Sequence, residues 1–285
     1  MRAEYSSAER EEMDHMSVVA TSPATADVVA AKGVNLRRYR SLSGFGLIAA
    51  LLALWEASSR LGWAQSTSWP AFSDVVQALG HGLASGELLR IFGETLSLML
   101  SGYAIGAVIA IGVGLSIGMS GLLEKFVAPV IEIFRPVPVT AIVPPLILFL
   151  GVDAALKIFA VAFSTFFPVV INTASGVRDV NQTMLQTART FRLSKWDTAI
   201  KFVLPGALPA IFAGLRTSVG IAFAVTIVAE MIAGSTGVGY YIVQTQYSMQ
   251  PAAMYAAILC LSAVGYALNL IIRWIERRAL PWYGA

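Results

Sequence analysis

The sequence predicts an all-α polytopic membrane protein with six transmembrane helices, and three observations lead there. The 285 residues are 56% hydrophobic and only 13% charged, against about 25% charged in an average soluble domain, and the mean hydropathy is +0.70. The apolar residues fall into six runs, most of them long enough to cross a bilayer core, which takes about 20 residues of helix. The runs lack the polar/apolar alternation of a membrane barrel. In lipid each backbone N–H and C=O must therefore be satisfied within its own segment, as a helix does. This composition excludes a disordered chain, a nucleic-acid binder and an ordinary cytosolic enzyme.

In chain order, residues 1–42 read as a polar cytoplasmic tail with six acidic and six basic residues, its main work being to orient span 1 through Arg37, Arg38 and Arg40. Residues 43–285 read as one transmembrane domain. The start is not a secretory signal, because Glu4, Glu9, Glu11, Glu12 and Asp14 have no apolar core behind them. Span 1 covers roughly Gly44 to Leu61, with Glu56 inside it. Between spans 1 and 2, Phe72, Val75, Val76, Leu79 and Leu83 repeat at helical spacing, with Ser73 as the expected N-cap. That amphipathic helix either caps the bundle or offers a docking surface. Span 2 covers roughly Leu96 to Met119, span 3 Ala128 to Leu150, span 4 Ala154 to Ala174, span 5 Ala210 to Ala233, and span 6 Ala253 to Trp274. The glycines of span 2, among them the pair Gly102 and Gly106, predict close helix contacts.

Lys and Arg set the orientation. With the N-terminus inside, fifteen of the twenty fall on the cytoplasmic side and Arg60, Arg90 and Lys157 outside, while Arg135 and Arg216 lie within spans. Both termini are predicted cytoplasmic. The lone Cys260 permits no internal disulfide, and His15 and His81 are too few and too far apart to build a metal site.

Charges within spans are functional candidates because each costs about 2.5–3.5 kcal/mol at mid-membrane. Glu132 and Arg135 are spaced to pair on one face of span 3; the alternatives are mutual neutralisation, or an Arg135 that faces a pathway and draws anions. Pro136, Pro138, Pro144 and Pro145 would kink span 3 and expose carbonyls, so the segment should be buried in protein or line a cavity. Arg216 fits a snorkelling role near the inner end of span 5. Glu230, before Gly234, Gly237 and Gly239, is either a gate or a structural acceptor.

The longest internal connection, about 175–209, is amphipathic. Met184, Thr187, Ala188 and Phe191 share one face. Ser194 can cap a second helix whose apolar side is Trp196, Ala199, Ile200, Val203 and Leu204, and Pro205 and Pro209 should break the backbone ahead of span 5. Two such short helices suit a soluble partner or a membrane surface equally.

The stretch LQTARTFRLSKWDTAIKFVLPGALPAIFAGLR resembles the coupling loop of ABC-importer inner-membrane permeases, with the pattern E-A-A, a glycine three or four residues on, and a later L-P. Gln186, Thr187 and Ala188 stand on E-A-A, Arg192 on the glycine, and Leu204 and Pro205 on L-P. FRPVPVTAIVPPLILFLG from Phe134 and AEMIAGSTGVGYYI from Ala229 resemble the subgroup importing nitrate, sulfonates, taurine or bicarbonate. The resemblance covers roughly 70–283 and implies a type I importer-like permease of a bacterial inner membrane, a transport subunit rather than an enzyme. It implies that Gln186, Thr187, Ala188, Arg189, Arg192, Leu204 and Pro205 couple to an ATPase. It also implies a second permease copy, two ABC ATPase subunits and an extracytoplasmic substrate-binding protein. No G-x-x-x-x-G-K-[ST] occurs in the chain, so no cofactor is expected on it, and ATP and Mg belong to the ATPase. The tentative pathway residues are Glu132, Arg135, Pro136, Pro138, Arg216 and Glu230. The expected substrate is a small anion, sulfonate-type first and nitrate or bicarbonate next; the alternatives are another small solute, such as a vitamin precursor or aromatic acid, or an ion-driven secondary transporter.

Overall fold

A computed structural model describes residues 36–63 and 68–282. The polar tail assigned to residues 1–42 lies outside them as far as residue 35. Among the described residues every regular element is helical. In order they are α1 (Leu36–Arg60), α2 (Phe72–Ala84), α3 (Glu87–Met119), α4 (Gly121–Phe134), α5 (Val139–Leu150), α6 (Ala154–Arg178), α7 (Gln182–Thr190), α8 (Lys195–Thr198), α9 (Leu204–Ala233), α10 (Val238–Tyr247) and α11 (Pro251–Ala279). Residues up to Trp55 and residues from Glu56 onward form two compact units. The 175–209 connection and all six pathway candidates belong to the second.

The second unit is built on α6, with α3 and α9 packed along it. Small residues make this possible. Gly102, Gly106, Ala110, Gly114 and Gly118 recur every four residues and lay one stripe of α3 against α6. A Cβ at Gly102 would stand 2.7 Å from the Ile158 carbonyl oxygen, and one at Gly114 would stand 2.6 Å from Thr173 Cβ. The α3 backbone therefore approaches α6 as no larger residue would allow, which is how helices associate where lipid removes the hydrophobic drive. Gly112, off the stripe, meets nothing. Two hydroxyls buried in these helices bond back to their own helix, Thr173 to the Val169 carbonyl at 2.7 Å and Thr226 to that of Ala222 at 2.8 Å.

The six-span count is not reproduced. Four described helices are long and apolar enough to cross a membrane: Glu87–Met119, Ala154–Arg178, Trp196–Ala233 and Pro251–Ala279. A fifth span exists if α4 and α5 are taken together. The expected single span over 128–150 is in fact this pair, bent by 94°. The cause is local: Pro136 and Pro138 cannot donate, Arg135 closes α4 and Pro138 opens α5. Expected span 1, Gly44 to Leu61, lies mostly on α1, which is not among the four.

Two other expectations change. α2 starts at Phe72, so Ser73 is not its N-cap; Glu56 takes that office, accepting from the Ser73 N–H at 3.0 Å and the Ser73 hydroxyl at 2.9 Å. Pro205 and Pro209 do not break the chain before span 5, for the helix runs unbroken over Trp196–Ala233. A π-turn at Ala199–Val203 precedes Pro205, with the Leu204 N–H bonding to the Ala199 carbonyl. The wider coil makes room where the Pro205 ring would otherwise meet a carbonyl one turn back.

Candidate functional site

The connection between α6 and α9 folds as a compact turn. Ala188, near the end of α7, is buried, while Gln186 and Thr187 are exposed. Arg189 belongs to the same helix. The helix stops at Arg192, whose φ is +52°. The Leu193 N–H then reaches back to the Ala188 carbonyl at 3.1 Å. That bond and the left-handed residue before it define a Schellman cap, whose left-handed position is usually glycine. A glycine would suit this position on backbone grounds, and Arg192 keeps the conformation at a cost of about 1–2 kcal/mol.

Ser194 caps the next turn as its sequence predicts. It accepts from the Asp197 N–H at 3.0 Å and donates to the Asp197 carboxylate at 2.6 Å. Asp197 also pairs with Lys201 at 2.8 Å. The predicted apolar faces do not form as expected. Val203 is buried among Val177, Val180, Ala207 and Ile211, yet Phe191 and Trp196 are 73% and 74% exposed. The turn is therefore anchored through Ala188 and Val203 and leaves two aromatic rings bare. Leu204 and Pro205 lie at the start of α9, behind this surface.

The six pathway candidates do not converge. Glu132 and Arg135 make no ion pair with each other, although both line a cavity of about 190 Å³ between α3, α4 and α6. Pro136 and Pro138 form the bend beside them. The paired charges at that cavity are Glu124 and Arg178, which tie α4 to the end of α6. Arg216 does not simply extend toward an interface, since it pairs with Glu276 of α11 at 3.3 Å. Glu230 lies fourteen residues farther along α9, about 21 Å at 1.5 Å per residue.

At that far end Glu230 is fully buried. Its Oε2 accepts from the Thr95 hydroxyl at 3.0 Å and the Gly239 N–H at 3.0 Å, while the Thr95 oxygen accepts from the Val238 N–H at 2.9 Å. One carboxylate so fastens α9 to α3 and to the start of α10. The glycines are required for contact: a Cβ on Gly237 would overlap the Glu230 carboxylate, and one on Gly239 would stand 2.7 Å from Glu230 Cβ. Sequence reasoning missed one partner and one buried charge here. Thr95 continues the buried α3 face through Met99, Gly102 and Gly106, a spacing visible in the sequence. Lys157, counted there among the outside charges, is 3% exposed in the first turns of α6.

Three comparisons bear on this geometry. Residues 102–281 match the family model described as binding-protein-dependent transport system inner membrane component. The aliphatic sulfonates transport permease protein SsuC of Bacillus subtilis is 34% identical over 247 residues, covering 86% of this chain and 89% of that one. The taurine transport system permease protein TauC of Escherichia coli is 27% identical, covering 87% and 92%. The nitrate import permease protein NrtB of Leptolyngbya laminosa is 29% identical, covering 81% and 85%. Among solved structures, an inward-facing MetNI methionine ABC transporter aligns with a TM-score of 0.61 at 17% identity, over 67% of this chain and 95% of that one, a likeness of fold.

Proposed function

We propose that this chain, which belongs to the inner membrane components of binding-protein-dependent transport systems, forms the translocation pathway of an ATP-driven importer for a small anion of the sulfonate class. As a member of that family it is a multi-pass inner-membrane transport component and not an enzyme. The family works with ATPase subunits and a binding protein; the pairing we assign is two copies of this permease, two ATPases carrying ATP and Mg, and one extracytoplasmic binding protein. The α6–α9 turn faces the cytoplasm in this reading, and so do both termini.

The observation that carries the reading is the turn itself. Phe191 and Trp196 stand out on a segment locked beneath by Ala188 and Val203, which suits insertion into a cleft of a soluble partner. From the turn, one helix of 38 residues, Trp196–Ala233, runs without a break, a rod of about 57 Å that ends at Glu230 and its bonds to α3 and α10. ATP-driven closure of the ATPases would move the two turns together, and the rod would carry that motion to the far end. The resemblance to permeases named for sulfonates and taurine directs the substrate class.

The test is uptake into vesicles holding the permease and its ATPase, with loaded binding protein outside. Sulfonate accumulation that needs both ATP and the binding protein is expected. Flux at full rate without ATP overturns the mechanism, and ATP-driven uptake of only a non-anionic solute overturns the substrate class.

A further inference from the structure

Of the four long apolar helices, α11 is the one least covered by the rest of the chain. It carries a single carboxylate, Glu276, and α9 takes that group: Arg216 donates to Glu276 Oε2 at 3.3 Å. Arg273, Arg277 and Arg278 in the same two turns are exposed, and none forms an ion pair among the described residues. Residues 279–282 add no acidic side chain. The arginines form a patch. Arg273 and Arg277 stand one turn apart, as do Trp274 and Arg278, so the four side chains tile one face of the helix. Two of them are already held: Arg278 lies over the Trp274 ring at 4.9 Å, and Arg273 Nε donates to Asn269 Oδ1 at 3.3 Å. Toward the middle of the helix the same face continues as Tyr266, Leu270 and Ile271, which are 68%, 46% and 52% exposed. The negative end of the helix macrodipole accounts for cations in the last turn, yet Arg273 stands six residues before the end of α11, beyond the reach of that effect. A guanidinium cluster thus sits at the head of an apolar track.

We propose that the last two turns of α11 bind the headgroup of an anionic phospholipid, its phosphate on Arg273, Arg277 and Arg278 and one acyl chain along Ile271, Leu270 and Tyr266. Guanidinium forks match phosphate oxygens in pairs, which an ammonium does not. Trp274 and Trp282 are exposed beside the arginines, and tryptophan is the residue type that settles at headgroup level. An amphiphile is favoured over a free anion because a free anion would use the arginines and leave the apolar track without a role. It is favoured over a soluble acidic partner because the track belongs to a helix of membrane-spanning length and composition. Glu276, whose carboxylate pairs with Arg216, stands between Arg273 and Arg277 in the chain, so a headgroup bound here fixes the end of α11 where it meets α9. The site is independent of the solute carried and of the α6–α9 turn.

The experiment adds phosphatidylglycerol, phosphatidylcholine or inorganic phosphate to the permease purified with its ATPase in neutral detergent, and follows the melting temperature of the permease. Phosphatidylglycerol should raise it and saturate, as a ligand of the folded state does; phosphatidylcholine and phosphate at equal concentration should not. The triple variant Arg273→Gln, Arg277→Gln, Arg278→Gln should need more than tenfold more phosphatidylglycerol for half the effect, and Arg277→Gln alone about fivefold more. Arg277 is exposed and without an ion pair, so the single variant carries the test by itself if the triple one fails to assemble. A control with the same charge loss elsewhere, Arg37→Gln, Arg38→Gln, Arg40→Gln, should respond as wild type does. An unchanged response in the α11 variants overturns the site. An equal loss in the control means attraction by diffuse charge and overturns it too. Full protection by phosphate alone makes the patch a free-anion site, and loss of the ATPase from the triple variant with the lipid response intact gives the arginines to a protein partner; either result overturns the proposal.

Discussion

The two ends of the α9 rod share one backbone device and differ in nearly everything mounted on it. Arg192 and Met249 are the two non-glycine residues with positive φ among the described residues, at +52° and +53°. Each is the left-handed residue of a Schellman cap: the Leu193 N–H bonds to the Ala188 carbonyl at 3.1 Å, and the Gln250 N–H bonds to the Thr245 carbonyl at 2.9 Å. Glycine would hold either turn at less cost. Beside Arg192 in the chain stand the exposed rings of Phe191 and, four residues on, Trp196; beside Met249 stand the exposed Tyr247 and the polar Ser248 and Gln250. A strained residue whose side chain faces outward at both ends points to what the side chain meets and not to what the fold needs. The two ends therefore offer different side chains to whatever meets them.

The sharpest way to break this comparison is at the anchor of the turn. Ala188 is 1% exposed, and Ala188→Glu would force a charge under the turn. Uptake should fall to background while the spans stay folded, with ATP hydrolysis no longer answering to loaded binding protein. Uptake and stimulated hydrolysis measured on one vesicle preparation check this; if both survive, the turn does not couple.

The matching break at the other end is Gly237→Ala. Gly237 has φ +95° and its Cβ would overlap the Glu230 carboxylate. The variant should lose about 3 kcal/mol or more of stability, read as a lower melting temperature in detergent and a smaller monodisperse fraction. Thr95→Val is gentler. It keeps the shape but removes the hydroxyl linking the Val238 N–H to Glu230, at about 1.5–3 kcal/mol for a bond to a charged group. A melting temperature equal to wild type would show that Glu230 does not hold the far end together.

These partners also mark where the sequence was legible. The glycine stripe of α3 and the Ser194 cap could be read directly, because each is local and set by helical spacing. The family resemblance placed Arg192 on a glycine, and only the backbone angle explains why a glycine belongs there. Span 3 announced its prolines but not its 94° bend, since a proline says that a helix is disturbed and neighbouring packing decides the angle. Pro205 misled for the converse reason: a π-turn absorbed it. Glu230 could not be resolved as gate or acceptor because its acceptor role depends on Thr95, 135 residues away. The burial of Lys157 was not legible either, because a lysine near the start of a span reads as a charge at the membrane surface and only the packing around α6 shows it 3% exposed.

The smallest expected effects sharpen the comparison most. Arg192→Gly and Met249→Gly should each relieve about 1 kcal/mol of backbone strain, a little less after the entropy that glycine loses on folding. Both variants should therefore melt slightly higher than wild type, by amounts alike at the two ends because the cap geometry is alike. Function should then separate them. Arg192→Gly restores the residue of the coupling-loop pattern, so uptake driven by the native ATPase changes only as far as that ATPase uses the guanidinium. Met249→Gly removes a side chain that is 64% exposed at the end where the function proposed above puts the binding protein, so its loss should appear in the binding-protein concentration for half-maximal uptake. A gain in stability at both sites with ATPase coupling altered only by Arg192→Gly, and binding-protein affinity altered only by Met249→Gly, assigns the two ends to two partners. Equal functional losses at both sites would mean that the caps serve the rod between them and not the surfaces at its ends.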